Sequence, residues 1–422
     1  MKWVYRKHII LQDLRALDAD ILCLQEVDHF EDFFEPLLQK LGYDSKYKKK
    51  DGKFDGCAIF WKRKKLESLF LSLSSVLNCT RRNQQKTKKK KKRFTLVKYE
   101  AIEFNENTFD SQEYQEEIRR DNVAQFISLR LNQGDHPSED LGVTLSNCHL
   151  FWNPLYAFVR LHQIHTLKRR LSLFNQCVTL ERREGSLPYP MLALGDFNIT
   201  PDNIMFKVLT DPAFVYDHEE EIEDIVERFS SLEKEMQGSK IVEQRLQKPF
   251  SIVSFLTPPE HGDPNVANLQ RMQLQACLFQ SREHMQRRLK QTMHMILESR
   301  RGQIPKFHSC YGDYSQIVDD EEKEEIENEK VLGPRAWKGE PRFTTFTESF
   351  RSVLDYIFQA KEEEAVGGAA DSIELLRRRI LHIPLASELA KDTGIPSDLY
   401  PSDHVPIGVE FQFWIHSSSS YS

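Results

Sequence analysis

The sequence predicts an α/β fold. Three observations carry that expectation: apolar runs of strand length recur along the chain, amphipathic helical stretches lie between them, and 422 residues leave room for a large core. A hydrophobic content of 40% and a charged content of 29% are those of a globular protein. The net charge of -6 excludes a uniformly basic nucleic-acid coat and leaves room for a local basic groove. The seven cysteines (Cys23, Cys57, Cys79, Cys148, Cys177, Cys277, Cys310) are scattered, odd in number and without CxxC spacing. That pattern fits reduced core thiols better than a disulfide frame or a zinc site. No run approaches the roughly 18 apolar residues of a membrane span, and residues 1–18 are too polar for a signal peptide, so no membrane partner is expected.

Trp3, Ile10, Leu14 and Leu17 recur at helical spacing and predict an amphipathic helix over 3–18. Ile21 to Glu26 reads as a buried strand ending in a carboxylate. Such a Glu is costly to desolvate unless it is salt-bridged, exposed at a rim or bound to a cation. Phe30 to Leu41 reads as a second helix closed by Gly42, and Asp55 to Trp61 as a turn followed by a strand. The basic run Lys86 to Arg93 is a solvated loop, with nucleic-acid attraction or a nuclear-import address as functional alternatives. Arg120 to Ala124 opens another strand. Val143, Leu145, Asn147 and His149 alternate with Thr144, Ser146 and Cys148 in a strand that ends at His149. His149, followed by Phe151, Trp152, Asn153 and Pro154, suits either a substrate rim or a structural histidine. Leu161, Ile164, Leu167, Leu171 and Phe174 mark a long helix.

Met191 to Leu194 is a short apolar strand. After Gly195, Asp196 and Asn198 follow two residues apart, which in extended geometry points both side chains one way. Thr200-Pro201-Asp202 resembles a helix start. Two readings are open for Asp196 and Asn198: they hold a metal-bound water and a phosphate oxygen, or they shape a strand-to-helix turn. Residues 214–304 read as a helical elaboration, with Leu278, Met285, Leu289, Met293 and Ile296 at helical spacing; it is an amphipathic surface helix or an arm for a protein adaptor. Asp319 to Lys330 is a charge-rich loop. Val353 to Phe358 is a third apolar strand with one carboxylate, Asp355. Pro401-Ser402-Asp403-His404 precedes an alternating final strand from Val405 to Phe413.

Singly, each acid has an ordinary explanation. Together, Glu26, Asp196 with Asn198, Asp355, and Asp403 with His404 lie at the ends of, within or beside buried strands. Carboxylates converging in a cleft repel one another unless a cation neutralises them. Oxygen donors without Cys or paired His favour Mg²⁺ or Mn²⁺ over zinc. A hard cation with carboxylates and a histidine is the chemistry of phosphoester hydrolysis.

Leu24-Gln25-Glu26-Val27, Gly195-Asp196-Phe197-Asn198, Leu354-Asp355-Tyr356-Ile357 and Ser402-Asp403-His404 resemble, in this order, the motifs of the endonuclease/exonuclease/phosphatase superfamily. The segments Asp55 to Phe60, Arg120 to Ala124, Asn147 to Pro154 and Phe343-Thr344 make the chain similar to its RNA deadenylase branch, that of nocturnin, Angel and the fungal Ngl-type RNA exonucleases. The resemblance implies a four-layer α/β sandwich of two packed mixed β-sheets flanked by helices. The catalytic domain would span residues 1–416, with insertions near 80–118, 214–304 and 316–336 and a disordered tail at 417–422. It also implies an opening strand with an active-site Asn, upstream of Trp3.

The resemblance assigns Glu26 as the principal Mg²⁺ ligand, with Asp403 beside the metal. Asp196 would orient or activate water and Asn198 would hold the scissile phosphate. His404 would contact that phosphate, oriented by Asp355, and His149 would be a second phosphate contact. Pro154 and Phe350 would sandwich the terminal base, next to Asn153. Thr345 stands where strongly poly(A)-preferring relatives carry Asn, so adenine selectivity is expected to be weaker.

The implied activity is Mg²⁺-dependent 3′–5′ RNA exonuclease action on poly(A) tails or structural-RNA 3′ ends, so the expected partner is a single-stranded RNA 3′ end. The alternatives are a phosphodiesterase or phosphatase of the same fold acting on DNA, lipid or small-molecule phosphate, and an inactive RNA-binding protein. A cytoplasmic location is expected, with a nuclear one as the alternative that the lysine run allows.

Overall fold

The computed structural model describes residues 2–63, 93–105, 118–132, 140–153, 156–201, 203–210, 287–288, 290–292, 305–318, 339–348, 350–361, 371–390 and 394–416. The lysines of 86–92, Pro154, most of 214–304, the acidic run 319–330 and residues 362–370 and 417–422 lie outside these residues.

Helix α1 (Trp3–Leu17) leads into β1 (Ile21–Leu24), which stops two residues short of Glu26. The second helix is not one continuous α-helix. Phe30–Phe34 forms a π turn in which the Phe34 N–H reaches the His29 carbonyl at 3.0 Å, and α2 (Glu35–Lys40) follows. Pro36 has no N–H to extend an i→i−4 ladder there. Next come β2 (Tyr43–Lys49), β3 (Gly56–Lys62), β4 (Phe94–Glu103), β5 (Val123–Leu131) and β6 (Gly142–His149). The span 80–118, expected as an insertion, therefore contains β4, paired with β5 along its length.

Helix α3 (Ala157–Glu181) crosses over to β7 (Met191–Asp196). The helix expected at Thr200 starts later, as α4 (Ile204–Thr210). Asn203 caps it, its Oδ1 accepting the Met205 N–H at 2.9 Å, while Thr200 accepts the Asn203 N–H in a preceding turn. The remaining elements are β8 (Lys306–Ser309), α5 (Tyr314–Ile317), β9 (Thr345–Phe346), β10 (Arg351–Ser352), β11 (Asp355–Lys361), β12 (Ser372–Ile380), α6 (Ala386–Ala390) and β13 (Val409–His416). The last strand begins at Val409, not Val405. Pro406 offers no N–H, and the Val405 N–H is instead bonded to the Thr344 carbonyl at 2.7 Å.

The main sheet has six strands in the order β4-β5-β6-β7-β11-β8, antiparallel except for the parallel pair β6–β7 that α3 connects. Of the expected two mixed sheets, only this one is mixed. Facing it are a three-stranded antiparallel sheet, β1-β3-β2, and a two-stranded ribbon, β12-β13. Ile59 and Trp61 of the first and Leu375 of the second share one apolar cluster with Ile127, Leu129, Val143, Leu145 and Leu192 of the main sheet. The other face of the main sheet packs on α3 and α4. Leu161, Ile164, Leu167 and Leu171 of α3 are fully buried there, each worth about 1.5–3 kcal/mol relative to exposure. Lys168 is buried in the same helix and donates to the Val208 and Leu209 carbonyls at the end of α4. Burial pulls its pKa down to about 7. Helices α1 and α2 cover the outside of β1-β3-β2. No helix among the described residues is long and apolar enough to cross a membrane.

Gly195 sets how closely β6 and β7 approach. Its φ is 144°, and a Cβ there would collide with the Cys148 carbonyl directly across the parallel pair. Gly195→Ala should destabilise the protein by more than about 2 kcal/mol, read as a lower urea midpoint. An unchanged midpoint would mean that the two strands can separate without cost.

Candidate active site

Strand register builds the centre of the site. Across the parallel pair His149 lies opposite Asp196, and across the antiparallel pair β7–β11 Asp196 lies opposite Asp355. Three chemistry-bearing side chains thus stand at one level on three adjacent strands. The His149 Nε2 is 3.5 Å from an Asp196 carboxylate oxygen. From the facing layer, the Lys50 ammonium lies 2.5 Å from Asp55 and 3.4 Å from His149 Nδ1.

His404 reaches the same place on a loop. Its Nδ1 is 2.7 Å from an Asp355 carboxylate oxygen. The loop is held by a β-bridge between His404 and Thr345, by the Phe346 N–H on the Asp403 carbonyl at 3.2 Å, and by the Thr345 hydroxyl on that carbonyl at 2.9 Å. From α1, the Arg6 Nε donates to the Pro401 carbonyl at 2.7 Å. Thr344 fixes Asp355: its hydroxyl donates to the carboxylate at 2.6 Å and accepts the Leu354 and Asp355 N–H groups at 3.0 and 3.1 Å.

Asp196 and Asn198 are brought together by a turn, not by strand alternation. The strand ends at Asp196, and Asn198 has a φ of 51° in the left-handed region. Its N–H returns to the Asp196 carboxylate at 2.9 Å, and its side-chain amide donates to the Leu150 carbonyl at 3.0 Å. The turn-shaping reading therefore holds for Asn198 and positions Asp196 as well. Glu26 also has a positive φ, 53°, pinned by the reciprocal backbone bonds of Val27 and Gly56 at 3.0 and 3.1 Å. A non-glycine residue in that region stores strain, and such strain concentrates at functional sites.

Burial and the facing Asp355 carboxylate push the Asp196 pKa up, against the pull of His404 and the Asn198 N–H. Burial also raises Glu26, with Asp403 adding to the rise while Lys50 and His404 oppose it. Burial by itself would discharge His404, but Asp355 outweighs it, with help from Asp196 and Asp403, and lifts the imidazole to about 10. His149 goes the other way: burial and Lys50 hold it at about 3, so it is neutral. The site therefore contains one imidazolium, one neutral imidazole and carboxylates that resist ionising together.

Donor atoms of Asp196, Asp355 and His404 all lie within 4.8 Å of one another. The Nδ1 of His404 is engaged by Asp355 and its ring is charged, which makes this pair an ion pair better than a set of metal ligands. The carboxylates of Asp196 and Glu26, both with raised proton affinity, are donors that a hard divalent cation would relieve. The donor chemistry thus fits Mg²⁺ or Mn²⁺. Glu26 and Asp403 are outside the tight donor group, though the charge of Asp403 acts on both Glu26 and His404.

The structure brings together Asp196, Asn198, Asp355, His404 and His149, with Glu26 and Asp403 coupled to them electrostatically. Of the expected base-stacking pair, Pro154 and Phe350, only Phe350 is among the described residues. It sits in the β9–β10 turn, where its carbonyl accepts the Thr347 N–H at 2.8 Å. The Asn153 carbonyl takes a bond from buried Arg160. Residues that sequence reasoning missed hold the layers in place. Gln25 donates to Asn147 at 2.7 Å, and Asn147 donates to the Leu24 and Ala58 carbonyls at 3.2 and 3.1 Å, tying the two sheets together below the site. Asn122 donates to the His149 carbonyl at 2.9 Å. The available signal was an amide within or directly beside an apolar strand, which must find partners when buried.

A family model described as the Endonuclease/Exonuclease/phosphatase family matches residues 1–404. The chain belongs to this family, whose members are hydrolases of phosphoester bonds. Its distant relatives are of the carbon catabolite repressor 4 and Angel type. Carbon catabolite repressor protein 4 homolog 5 of Arabidopsis thaliana is 26% identical over 98% of this chain and 71% of its own length. Protein angel homolog 2 of Homo sapiens is 24% identical over 98% of this chain and 64% of its own. The crystal structure of ANGEL2, a 2′,3′-cyclic phosphatase, shares the fold with a TM-score of 0.51 at 21% identity, covering 97% of this chain and 86% of that one.

The His404–Asp355 pair contributes stability that is fully present below the unfolded imidazole value of 6.5 and is lost as pH rises through about 10. Asp355→Asn should return His404 toward the ordinary imidazole range, followed by NMR titration of the ring. Titration near 6.5 in both proteins would mean that the ion pair does not form in solution.

Proposed function

We propose that this chain is a Mg²⁺-dependent 3′–5′ RNA exonuclease that hydrolyses the terminal phosphodiester and releases mononucleotides, on poly(A) tails or structural-RNA 3′ ends. The observation that carries the reading is Asp196. It is buried in register between neutral His149 and the Asp355–His404 ion pair, with a proton affinity raised from the ordinary carboxylate range.

In this reaction water adds to phosphorus, the P–O3′ bond breaks, and the shortened RNA leaves with a 3′ hydroxyl. Asp196 orients the water and accepts its proton, which its raised affinity favours near neutral pH. The His404 imidazolium faces the charge that grows on the phosphate oxygens, and Asp355 keeps it charged and oriented. His149, neutral and buried, contributes an N–H rather than a charge. Asn198 supplies the remaining capacity of its amide to the phosphate. Glu26, with Asp403 nearby, would hold a divalent cation, which would supply charge neutralisation to the phosphate. Thr345 supports a broader substrate range than adenine: it is buried, and its hydroxyl is spent on the Asp403 carbonyl, leaving no group for a base edge.

Purified protein in Mg²⁺ should shorten both 3′-adenylated and mixed-sequence single-stranded RNA one nucleotide at a time. Glu26→Ala and His404→Ala should each lower the rate at least about 100-fold. Intact RNA in every case would remove the exonuclease reading. An RNA ending in a 2′,3′-cyclic phosphate belongs in the same assay, and release of inorganic phosphate from that end without shortening would assign the site to end-processing phosphatase chemistry. Phe350→Ala, with Pro154→Ala, should weaken turnover if the terminal base is stacked.

Metal binding has a readout apart from activity. Mg²⁺ should raise the thermal midpoint, and more at pH 8 than at pH 6, because carboxylates with raised proton affinity must lose protons to bind it. The double variant Glu26→Gln, Asp196→Asn should show no rise. An equal rise in that variant would place the cation elsewhere.

A further inference from the structure

We propose that the β2–β3 hairpin tip and the segment after β6 form an aromatic and basic rim for single-stranded nucleic acid, with Phe54 and Trp152 as stacking platforms for bases upstream of the terminal nucleotide. The proposal rests on the preceding functional reading for where the strand ends.

Phe54 is 88% exposed, more than any other large apolar side chain among the described residues. The turn it occupies does not need it: the Lys50 N–H on the Asp55 carbonyl at 3.0 Å and Gly52 at φ 64° close the hairpin. Its neighbour Asp55 belongs to the site through Lys50 and His149. Five of the eight residues from 46 to 53 are lysines, in a chain of net charge -6. Lys46 lies over the Tyr99 ring and Lys48 pairs with Glu103, both toward the main sheet, whereas Lys49 and Lys53 are exposed.

The rim continues across the site's flank. Lys53 lies 3.3 Å from Asp121, with both side chains about half exposed. Such a surface pair is weak and exchanges readily for a phosphate. Next to Asp121, the Arg120 guanidinium covers the rings of Phe151 and Tyr156 at 4.7 and 5.0 Å. The Phe151 ring lies 6.3 Å from Trp152, which is 53% exposed. One exposed ring alone means little. Two on one rim, with Lys53 and Arg120 between them and His149 at its inner edge, match the requirement of a single strand: π faces for bases of any sequence and cations for the backbone.

The test is binding of labelled oligonucleotides in EDTA, so that nothing is cleaved. Phe54→Ala and Trp152→Ala should each weaken the Kd of an oligonucleotide of about ten bases by roughly 5- to 100-fold and leave a dinucleotide unchanged. Lys53→Gln should flatten the salt dependence for the longer strand. The Phe54 side chain faces solvent, so the melting curve of Phe54→Ala should not move. Unchanged affinity in the double variant, or equal losses for short and long strands, would overturn the rim. So would concentration-dependent self-association of the unaltered protein that Phe54→Ala abolishes. Length-dependent binding by a protein that cleaves no RNA would keep the rim and remove the exonuclease reading.

Discussion

Buried Asp196 and half-buried Asp355 face one another across adjacent antiparallel strands, and like charges directly opposite in a sheet are destabilising. The rest of the site answers that repulsion. Asp355 shares its charge with His404 and with the Thr344 hydroxyl, while Asp196 receives the Asn198 N–H and keeps a raised proton affinity. The imbalance that remains is what makes a cation, or a proton taken from water, welcome at this point. A repulsion tolerated by the fold thus becomes the driving force for the chemistry proposed.

Precise placement comes from backbone more than from side chains. The parallel contact β6–β7 sets His149 against Asp196, and it closes because position 195 is glycine. The loop bearing His404 is fastened by Thr344, Thr345 and Phe346, and from the outside by Arg6. Between the layers, Gln25, Asn147 and Gln125 exchange hydrogen bonds in a setting where an unpaired amide would cost about 1–3 kcal/mol. The facing sheet can therefore seat itself in one register only, and that register brings Lys50 and Glu26 over the row of strand ends.

Much of the fold was legible. The strands at 21, 56, 143, 191 and 355 read as apolar runs because most of their residues are buried or half-buried, and helices α1 and α3 carry apolar residues at helical spacing. Strands β2, β4 and β12 were not legible. β2 turns lysines toward polar partners on the main sheet, β4 is an edge, and β12 is largely polar, so none shows the alternation that burial imposes. The acids of the site stood out because each interrupts or ends an apolar run. Their supporters Thr344, Asn122 and Lys50 did not, since nothing about a Thr or a Lys in sequence tells which distant carboxylate or carbonyl it will meet.

By itself the sequence determined the alternation of helices and strands, the identity of the acidic and histidine groups, and their order along the chain. Those are consequences of local pattern and of residue chemistry. The tertiary structure decided which residue stands opposite which. Register across three strands put His149, Asp196 and Asp355 at one level, and a loop some fifty residues beyond Asp355 brought His404 onto it. It also decided the charge states: His149 neutral and His404 charged, two identical side chains separated by their surroundings. Pairing and burial depend on contacts between distant segments, and no local pattern encodes them.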